Sequence, residues 1–270
     1  MKQIVLTITF LCSSNICLGQ TIKITKTIYN DFVSIDFINP LLCAMEFSLT
    51  PVDSTNQNFK FKKHIIIKAK DTSFNVIKLP LSIIKDTSKI SLNKFIKTKG
   101  RLGDPNTIKP DYNYKYTLPY QKGKSFKIIQ TFGGKFSHNL EHSKYAIDFG
   151  LKIGDTITAA RNGIVIFIKE DSKKYGKTRK FINYANKIKV LHNDGTIGDY
   201  VHLDYNGALV KVGDSIIVGQ PIGISGLTGF TTTPHLHFVV FKERGLAIPI
   251  YFKGYNNKIL KRNKYYKRKK

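Results

Sequence analysis

Two histidines stand one residue apart at the start of a run with strand character, Pro234–Phe241, "PHLHFVVF". In a β-strand, side chains two residues apart point to the same face of the sheet and lie roughly 6.5 to 7 Å apart. His235 and His237 should therefore face one space, while Leu236 and Phe238 pack behind them. Because that separation is too wide for both rings to bind one metal ion comfortably, the pattern favours one metal-binding histidine and one that acts beside the metal.

A second strand-like run places a carboxylate among core residues. In residues 145–150, "YAIDFG", the alternation sends Asp148 to the face opposite Ile147 and Phe149. A carboxylate that is buried alone is costly, so it requires a partner or a metal ion. The run therefore makes Asp148 a candidate metal ligand.

A third run, Asp199–Tyr205, "DYVHLDY", adds another histidine. The same alternation predicts that Tyr200, His202 and Asp204 point to one side of the sheet and that Val201 and Leu203 point into the core. His202 would then be available to a site on the polar face.

These residue types fit the requirements of a hydrolytic zinc centre. A catalytic zinc ion needs three nitrogen or oxygen ligands and an open position for water, and it polarises the carbonyl under attack and lowers the pKa of water. A nearby histidine can then move protons or stabilise an oxyanion. The second half of the chain can supply three ligands and two spare histidines, since it contains six of the seven histidines: His138, His142, His192, His202, His235 and His237.

The motifs between residues 124 and 242 occur in a characteristic order. Ser-His before an Asp is followed by Gly-Asp-x-Ile-x-Ala-Ala, Tyr-x-His-Leu, Val-Gly-Asp with Gly-Gln-x-Ile-Gly, and His-Leu-His-Phe. This ordered set resembles the lysostaphin/LytM-type family of zinc metallopeptidases, which cleave peptide bonds in bacterial peptidoglycan. The resemblance implies that Asp148 and His237 are ligands of one Zn²⁺ per chain. It also implies that His202 and His235 act beside the metal, where they orient water and stabilise the tetrahedral intermediate.

The resemblance leaves two histidines to compete for the third ligand position. Compact members of the family place this histidine four residues before the Asp, but that position is Lys144 here. His138 follows a glycine pair that permits a sharp approach, and Ser137-His138 matches the Ser-His pair of the family. His142 has the polar neighbours typical of an exposed loop. We therefore expect His138, rather than His142, to complete the site.

Three other residues have structural interpretations. His192 matches a frequent family histidine, but it precedes an Asn-Asp-Gly turn and is expected to be structural or exposed. His64 lies in the first half and is expected at the surface or at a strand edge. Cys43 is expected to be a buried apolar residue.

The first residues have the layout of a secretory signal peptide. A lone Lys2, an apolar run and small residues near position 19 predict a signal over residues 1–19, with cleavage before Gln20. The protein is then expected to be exported, to the periplasm, the cell envelope or the exterior, and not to be an integral membrane protein. Cleavage leaves Cys43 alone, so no intramolecular disulfide is possible.

The charge of the chain is strongly positive. It contains 44 Lys and Arg against 18 Asp and Glu, which gives a net charge of +26. Such a chain is attracted to polyanions, and an exported protein meets anionic envelope polymers or lipids first. The basic tail, residues 256–270, is densest over residues 261–270 and is expected to be solvated and mobile. Two roles are open for it: a plain solubilising segment, which we favour, or adhesion to an anionic surface. Nucleic acid is disfavoured as a partner by the signal peptide and by the scattered positions of the lysines.

The alternation of short apolar and polar runs predicts an all-β protein with two domains. Residues 20–110 read as a small β-sandwich-like domain of unknown role. Residues 111–255 read as an antiparallel β-sheet zinc peptidase domain with an open groove, in which residues 171–186 are an inserted surface loop. The function that the family resemblance implies is hydrolysis of peptidoglycan stem or cross-bridge peptides. The alternative is an inactive binding or regulatory module of the same fold.

Overall fold

The computed structural model describes residues 5–9, 22–53, 58–256 and 258–269. Within these ranges the chain consists of β-strands and short 3₁₀ helices and has no α-helix. This confirms the all-β expectation. None of the described helices is long and apolar enough to cross a membrane. The chain divides into two compact units, residues 1–104 and 105–270.

The first unit contains two antiparallel sheets. Their strand orders are β1-β2-β3-β7-β5 and β6-β4-β8. The elements are β1 (Val5–Thr9), β2 (Lys23–Ile28), β3 (Phe32–Ile38), β4 (Met45–Pro51), β5 (Lys60–Phe61), β6 (His64–Ile67), β7 (Thr72–Pro80), η1 (Leu81–Ile83), η2 (Thr87–Lys89), η3 (Leu92–Lys94) and β8 (Ile96–Leu102).

Aromatic and aliphatic side chains fill the interior of the first unit. The rings of Phe37 on β3 and Phe47 on β4 meet edge to face at 5.6 Å, so apolar side chains of the two sheets are in contact. Cys43 is buried, as expected. His64 is exposed on β6, also as expected, and its Nε2 lies 2.7 Å from Glu46 Oε1. The predicted signal peptide, residues 1–19, lies outside the described residues except for β1, which pairs with β2.

The second unit is built on an eight-stranded sheet of order β18-β13-β15-β16-β21-β11-β10-β23. Its elements are β9 (Lys115–Tyr116), β10 (Ser125–Gln130), β11 (Ile147–Phe149), β12 (Thr156–Thr158), β13 (Gly163–Lys169), β14 (Tyr175–Gly176), η4 (Arg179–Tyr184), β15 (Lys187–Leu191), β16 (Ile197–Val201), β17 (Leu203–Ala208), β18 (Ser215–Ile216), β19 (Pro221–Ser225), β20 (Gly229–Phe230), β21 (Leu236–Phe241), η5 (Glu243–Gly245), β22 (Tyr251–Phe252) and β23 (Tyr265–Lys267).

One face of this sheet packs into the core and the other carries the polar site. Alternate residues of β15, β16, β21 and β11 enter the core, where Ile188, Tyr200, Phe238 and Phe149 are fully buried. The neighbouring residues on the same strands face a cavity. Because side chains alternate along each strand, the residues that line the cavity lie on the opposite face of the sheet from the hydrophobic core.

The expected surface loop over residues 171–186 contains local structure. β14 lies within it and pairs with β20 in parallel, and η4 follows. Several of its residues border the cavity on the polar face of the sheet.

The expectation of a mobile basic tail over residues 256–270 is wrong for the strand that it contains. β23 pairs with β10 and forms the edge of the eight-stranded sheet. The Tyr120 hydroxyl donates to the Tyr266 carbonyl at 2.6 Å, and Arg268 donates to the Tyr120 carbonyl at 2.6 Å. The many basic side chains obscured this strand in the sequence, because its pairing with β10 is made by the backbone.

Candidate metal centre

Strand pairing brings Asp148 and His237 together. They are direct partners in the register between β11 and β21. His237 Nδ1 lies 2.9 Å from Asp148 Oδ1. The side chain of Asp148 is buried, while His237 stays partly open to the cavity. Two residues that are 89 positions apart thus share one site because their strands are neighbours.

His138 reaches the same point from the loop that follows β10. Gly133 has a φ of +66°, a conformation that favours glycine, and the His138 amide closes the turn by donating to the Gly134 carbonyl at 2.9 Å. A Cβ on Gly134 would lie 2.2 Å from Gln130 Cγ, so this loop can approach only with glycine there. His138 is fully buried, with Nε2 3.1 Å from Asp148 Oδ1.

The three residues form a group that could hold a metal ion. Their ligand atoms all lie within 4.8 Å of one another. The Thr131 carbonyl can only accept, so the contact of 2.9 Å with His138 Nδ1 puts the ring proton on that nitrogen. The lone pair of His138 Nε2 then faces Asp148 Oδ1, which also carries lone pairs. A cation between the two atoms would remove the repulsion between these lone pairs. Two imidazoles with one carboxylate are a set of ligands that zinc accepts.

Gln130 supports the carboxylate and was not found from the sequence. Its Nε2 donates to Asp148 Oδ2 at 3.2 Å and to Ser137 Oγ at 2.7 Å, and its Oε1 accepts from the Phe136 amide at 3.2 Å. It therefore ties Asp148 to the loop that carries His138. The available signal was its position as the last residue of β10, immediately before the turn that leads to the glycine pair.

His202 and His235 lie beside the three-residue group. Their ring centres are 4.6 Å apart. His202 Nδ1 is 2.6 Å from the Thr228 carbonyl, and His235 Nδ1 is 2.8 Å from the Thr233 carbonyl. Because carbonyls only accept, both rings carry their proton on Nδ1 and have a lone pair on Nε2. His235 Nε2 lies 3.7 Å from Asp148 Oδ1.

The predicted facing of Tyr200 and Val201 is wrong. Tyr200 is fully buried in the core, where its ring packs 4.7 Å from that of Phe238, while Val201 lines the cavity. The reason is the backbone of His202, which has a φ of +71° and separates β16 from β17. This left-handed residue breaks the alternation, so His202 and Val201 both border the site although they are consecutive.

Burial and charge set the ionisation of the site. Burial by itself would raise the pKa of Asp148, but the neighbouring histidines His235, His138 and His237 hold that pKa well below its usual range. Burial, together with the neighbouring His235 and His237, lowers the pKa of His202 well below its usual value. Burial also lowers the pKa of His237, and Asp148 opposes the change. Asp148 is therefore anionic and His202 neutral near pH 7.

The remaining two histidines of this unit lie outside the group. His142 is exposed and borders the cavity, but the structure does not bring it to Asp148. His192 is buried, which fits the structural alternative; its Nδ1 lies 2.8 Å from the Asn162 carbonyl, and its ring meets Tyr116 edge to face.

The cavity above the group has a volume of about 720 Å³. One wall is the loop that carries His138, and the other includes η4 and β20. Phe136 and Phe230 stack across one part of it with ring centres 5.3 Å apart. The floor consists of residues of β15, β16 and β21 that face away from the core, among them Lys187, Asp199 and His237.

A family model, peptidase family M23, matches residues 142–249. The match contains Asp148, His202, His235 and His237, but it begins at His142 and does not include His138. The selection of His138 over His142 therefore depends on the geometry of the loop and not on the family match.

Three curated relatives are similar to parts of the chain. An uncharacterized metalloprotease of Buchnera aphidicola is 29% identical over 198 residues, which are 72% of this chain and 46% of that protein. Lysostaphin of Staphylococcus simulans is 40% identical over 96 residues, 35% of this chain and 17% of lysostaphin. The peptidoglycan DD-endopeptidase ShyA of Vibrio cholerae is 33% identical over 91 residues, 34% of this chain and 18% of ShyA. The chain thus matches less than half of the length of each.

A solved structure is also similar to this chain. The crystal structure of the catalytic domain of lysostaphin from Staphylococcus simulans, an antimicrobial peptidase, is 28% identical, and the alignment covers 54% of this chain and 94% of that domain with a TM-score of 0.31.

Proposed function

Because residues 142–249 belong to peptidase family M23, of the lysostaphin/LytM type, we propose that this protein is an exported zinc endopeptidase that hydrolyses peptide bonds in bacterial peptidoglycan. The observation that carries the proposal is the convergence of His138, Asp148 and His237 on one point at the floor of the cavity. The names of the relatives lysostaphin and ShyA support a cell-wall peptide as the substrate.

The donor set supports one zinc ion held by His138 Nε2, Asp148 Oδ1 and His237 Nδ1. Bound there, the ion would supply Lewis acidity toward a peptide carbonyl and lower the pKa of water. Gln130 would keep Asp148 oriented through its hydrogen bond to Oδ2, and the Thr131 carbonyl would keep the lone pair of His138 Nε2 directed at the site.

The two adjacent histidines would carry the proton chemistry. His202 is neutral near pH 7 because burial and its histidine neighbours depress its pKa, so its Nε2 can accept a proton. The proton on its Nδ1 stays on the Thr228 carbonyl and fixes the orientation of the ring. His235 is held by the Thr233 carbonyl in the same manner and presents Nε2 beside Asp148. With a proton on Nε2, His235 would stabilise the negative charge that develops on the substrate oxygen.

The decisive experiment uses cell-wall sacculi. Purified full-length protein should release peptide amines from sacculi, a chelator should abolish the release, and added zinc should restore it. Metal analysis of the purified protein should give about one zinc per chain. Absence of release, with the metal present and the protein folded, would contradict the proposal.

The alternative function is a binding or regulatory module that keeps the fold without turnover. The same experiment separates the two, because such a module would associate with sacculi without releasing amines. The full complement of candidate ligands in the structure favours the enzyme.

A further inference from the structure

The cavity that contains the metal group continues across the sheet to a lysine. In the strand register His237 pairs with Val201, and Val201 pairs with Lys187, so one row of residues crosses β21, β16 and β15. All three residues line the cavity. Since neighbouring strands lie about 4.8 Å apart, the backbone of Lys187 lies roughly 10 Å from that of His237.

The ammonium group of Lys187 lacks a partner in the part of the chain that the structure describes. The side chain of Lys187 forms no hydrogen bond or ion pair there, although most of it is buried. The acid in the adjacent row of the floor, Asp199, pairs instead with Lys189, with Nζ 2.5 Å from Oδ2. Burial lowers the pKa of Lys187, Asp199 opposes the change, and Lys189 and Lys169 add to it. A buried cation without a partner is costly, so this position favours an anionic occupant.

Most of the other charged residues of the cavity are basic. Besides Lys187, the basic residues that line it are Lys135, Arg179 and Arg262. Among the described lining residues the acids are Asp148, which belongs to the metal group, and Asp199, whose Oδ2 pairs with Lys189 and whose Oδ1 has no hydrogen-bond partner among the described residues. With four basic residues against two acids, the lining carries a net positive charge, and a substrate that carries negative charge gains most from it.

We propose that Lys187 binds a free carboxylate of the peptide substrate and thereby selects acidic wall peptides over amidated ones. The distance along the floor corresponds to about three residues of extended peptide between the carboxylate and the scissile bond. A carboxylate accepts a charge-assisted hydrogen bond from the ammonium, whereas a carboxamide accepts only a weaker neutral one. This inference depends on the proposed function, because it names the substrate class of the same site.

The test compares two cross-linked wall peptides that differ only in one carboxyl group, which is free in the first and amidated in the second. For the full-length protein we expect kcat/KM to be roughly tenfold higher for the acidic peptide. Lys187→Met should bring this ratio close to one, and Lys187→Arg should restore most of it. Lys152→Met is the matched control, since Lys152 is exposed and lies outside the cavity lining, and it should keep the ratio.

Binding of the same two labelled peptides to chelator-treated protein, measured by fluorescence anisotropy, separates this inference from the proposed function. If the wild-type protein cleaves both peptides equally well, or if Lys187→Met leaves the ratio unchanged, the role of Lys187 is wrong while the endopeptidase stands. If neither peptide is cleaved but the acidic one binds more tightly and loses that advantage in Lys187→Met, the endopeptidase fails and the carboxylate site stands. Absence of both cleavage and binding overturns both. Should Lys187→Met not fold, the wild-type ratio and Lys187→Arg decide.

Discussion

At the scale of single residues, backbone carbonyls determine which nitrogen of each histidine is available. Thr131 fixes the proton of His138, and Thr228 fixes that of His202. In each ring the opposite nitrogen then has a lone pair on the side of the cavity. These carbonyls come from loops, so correct loop folding would be a condition for the proposed metal binding and proton transfer.

The proposed roles of His237, His202 and His235 predict loss of the metal in one variant and loss of activity alone in the other two. His237→Ala should lose the metal, because it removes one of three ligands. His202→Ala and His235→Ala should retain about one zinc per chain and lose activity by two or more orders of magnitude, because both remove a proton-handling group. Metal analysis and sacculus hydrolysis of the purified variants test this. Zinc loss in His235→Ala with zinc kept in His237→Ala would reverse the assignment.

The third ligand is tested by a matched pair of histidines on one loop. His138→Ala should lose zinc and activity, since His138 Nε2 lies 3.1 Å from Asp148 Oδ1. His142→Ala should keep the metal, since the ring of His142 is exposed at the cavity wall. Both substitutions remove the same side chain four residues apart, so each serves as the control for the other. Full zinc and activity in His138→Ala would exclude it as a ligand.

At the scale of elements, the hairpin of β15 and β16 carries the floor of the cavity and ends on His192. Gly198 lets that histidine pack closely, because a Cβ there would lie 3.0 Å from His192 Nε2. The ring is buried and its Nε2 has no hydrogen-bond partner among the described residues. Protonation of the His192 ring should therefore lower the stability of this hairpin.

Protonation of His192 should make the protein less stable in mild acid. Burial lowers the pKa of His192 to about 4. Between pH 6.5, the pKa in the unfolded chain, and pH 4 only the unfolded chain binds this proton. The free energy of unfolding is therefore at its full value above pH 6.5 and decreases as the pH falls toward 4. The loss amounts to about 3 kcal/mol at most. His192→Gln keeps a donor to Asn162 and should show a flatter dependence. Denaturant unfolding of chelator-treated samples measures both, and parallel curves would contradict the prediction.

The edge strand β23 should contribute to stability. Deleting residues 261–270 removes its pairing with β10 and leaves the Tyr120 hydroxyl and carbonyl without their partners Tyr266 and Arg268. We expect the Tm to fall on the order of 5 °C, since each buried polar group left unpaired costs about 1 to 3 kcal/mol. The triple variant Lys261→Gln, Lys264→Gln, Lys267→Gln removes charge but no backbone, and its Tm should change little. Equal Tm values for the deletion and the wild type would restore the interpretation as a free tail.

At the scale of the whole molecule, the net charge of +26 is the dominant property. It is not concentrated in one groove, because lysines are distributed along both compact units. Long-range attraction to anionic polymers should therefore depend on total charge and on ionic strength more than on any one contact.

Association with the anionic cell envelope should weaken steeply with salt. The same triple variant should bind anionic walls or lipid vesicles less tightly at low salt, while its hydrolysis of a short soluble peptide stays near the wild-type rate. The reason is that its three side chains are exposed and lie outside the cavity lining. Co-sedimentation at about 20 and 300 mM salt measures the binding. Salt-independent binding would indicate a specific contact in place of a general field.

The sequence alone determined the β class of the chain and the set of residues that the structure brings to one site. Alternation with period two indicates which face of the sheet a strand residue occupies. The motifs around Asp148, His202 and His237 are short, so they can be recognised in the sequence without knowledge of the fold. The resemblance of Ser137-His138 to the Ser-His pair of the family, together with the preceding glycine pair, selected His138, and the structure brings His138 to Asp148.

Only the tertiary structure decided what depends on distant parts of the chain. The support of Asp148 by Gln130 requires the register of β10 with β11, and the place of β23 at the edge of the sheet requires β10 as its partner. The facing of Tyr200 and Val201 depended on one left-handed residue, His202, which no alternation rule can anticipate. Such features depend on the pairing of distant strands and on single backbone angles. The contacts that stabilise them form only when the strands come together in the folded sheet.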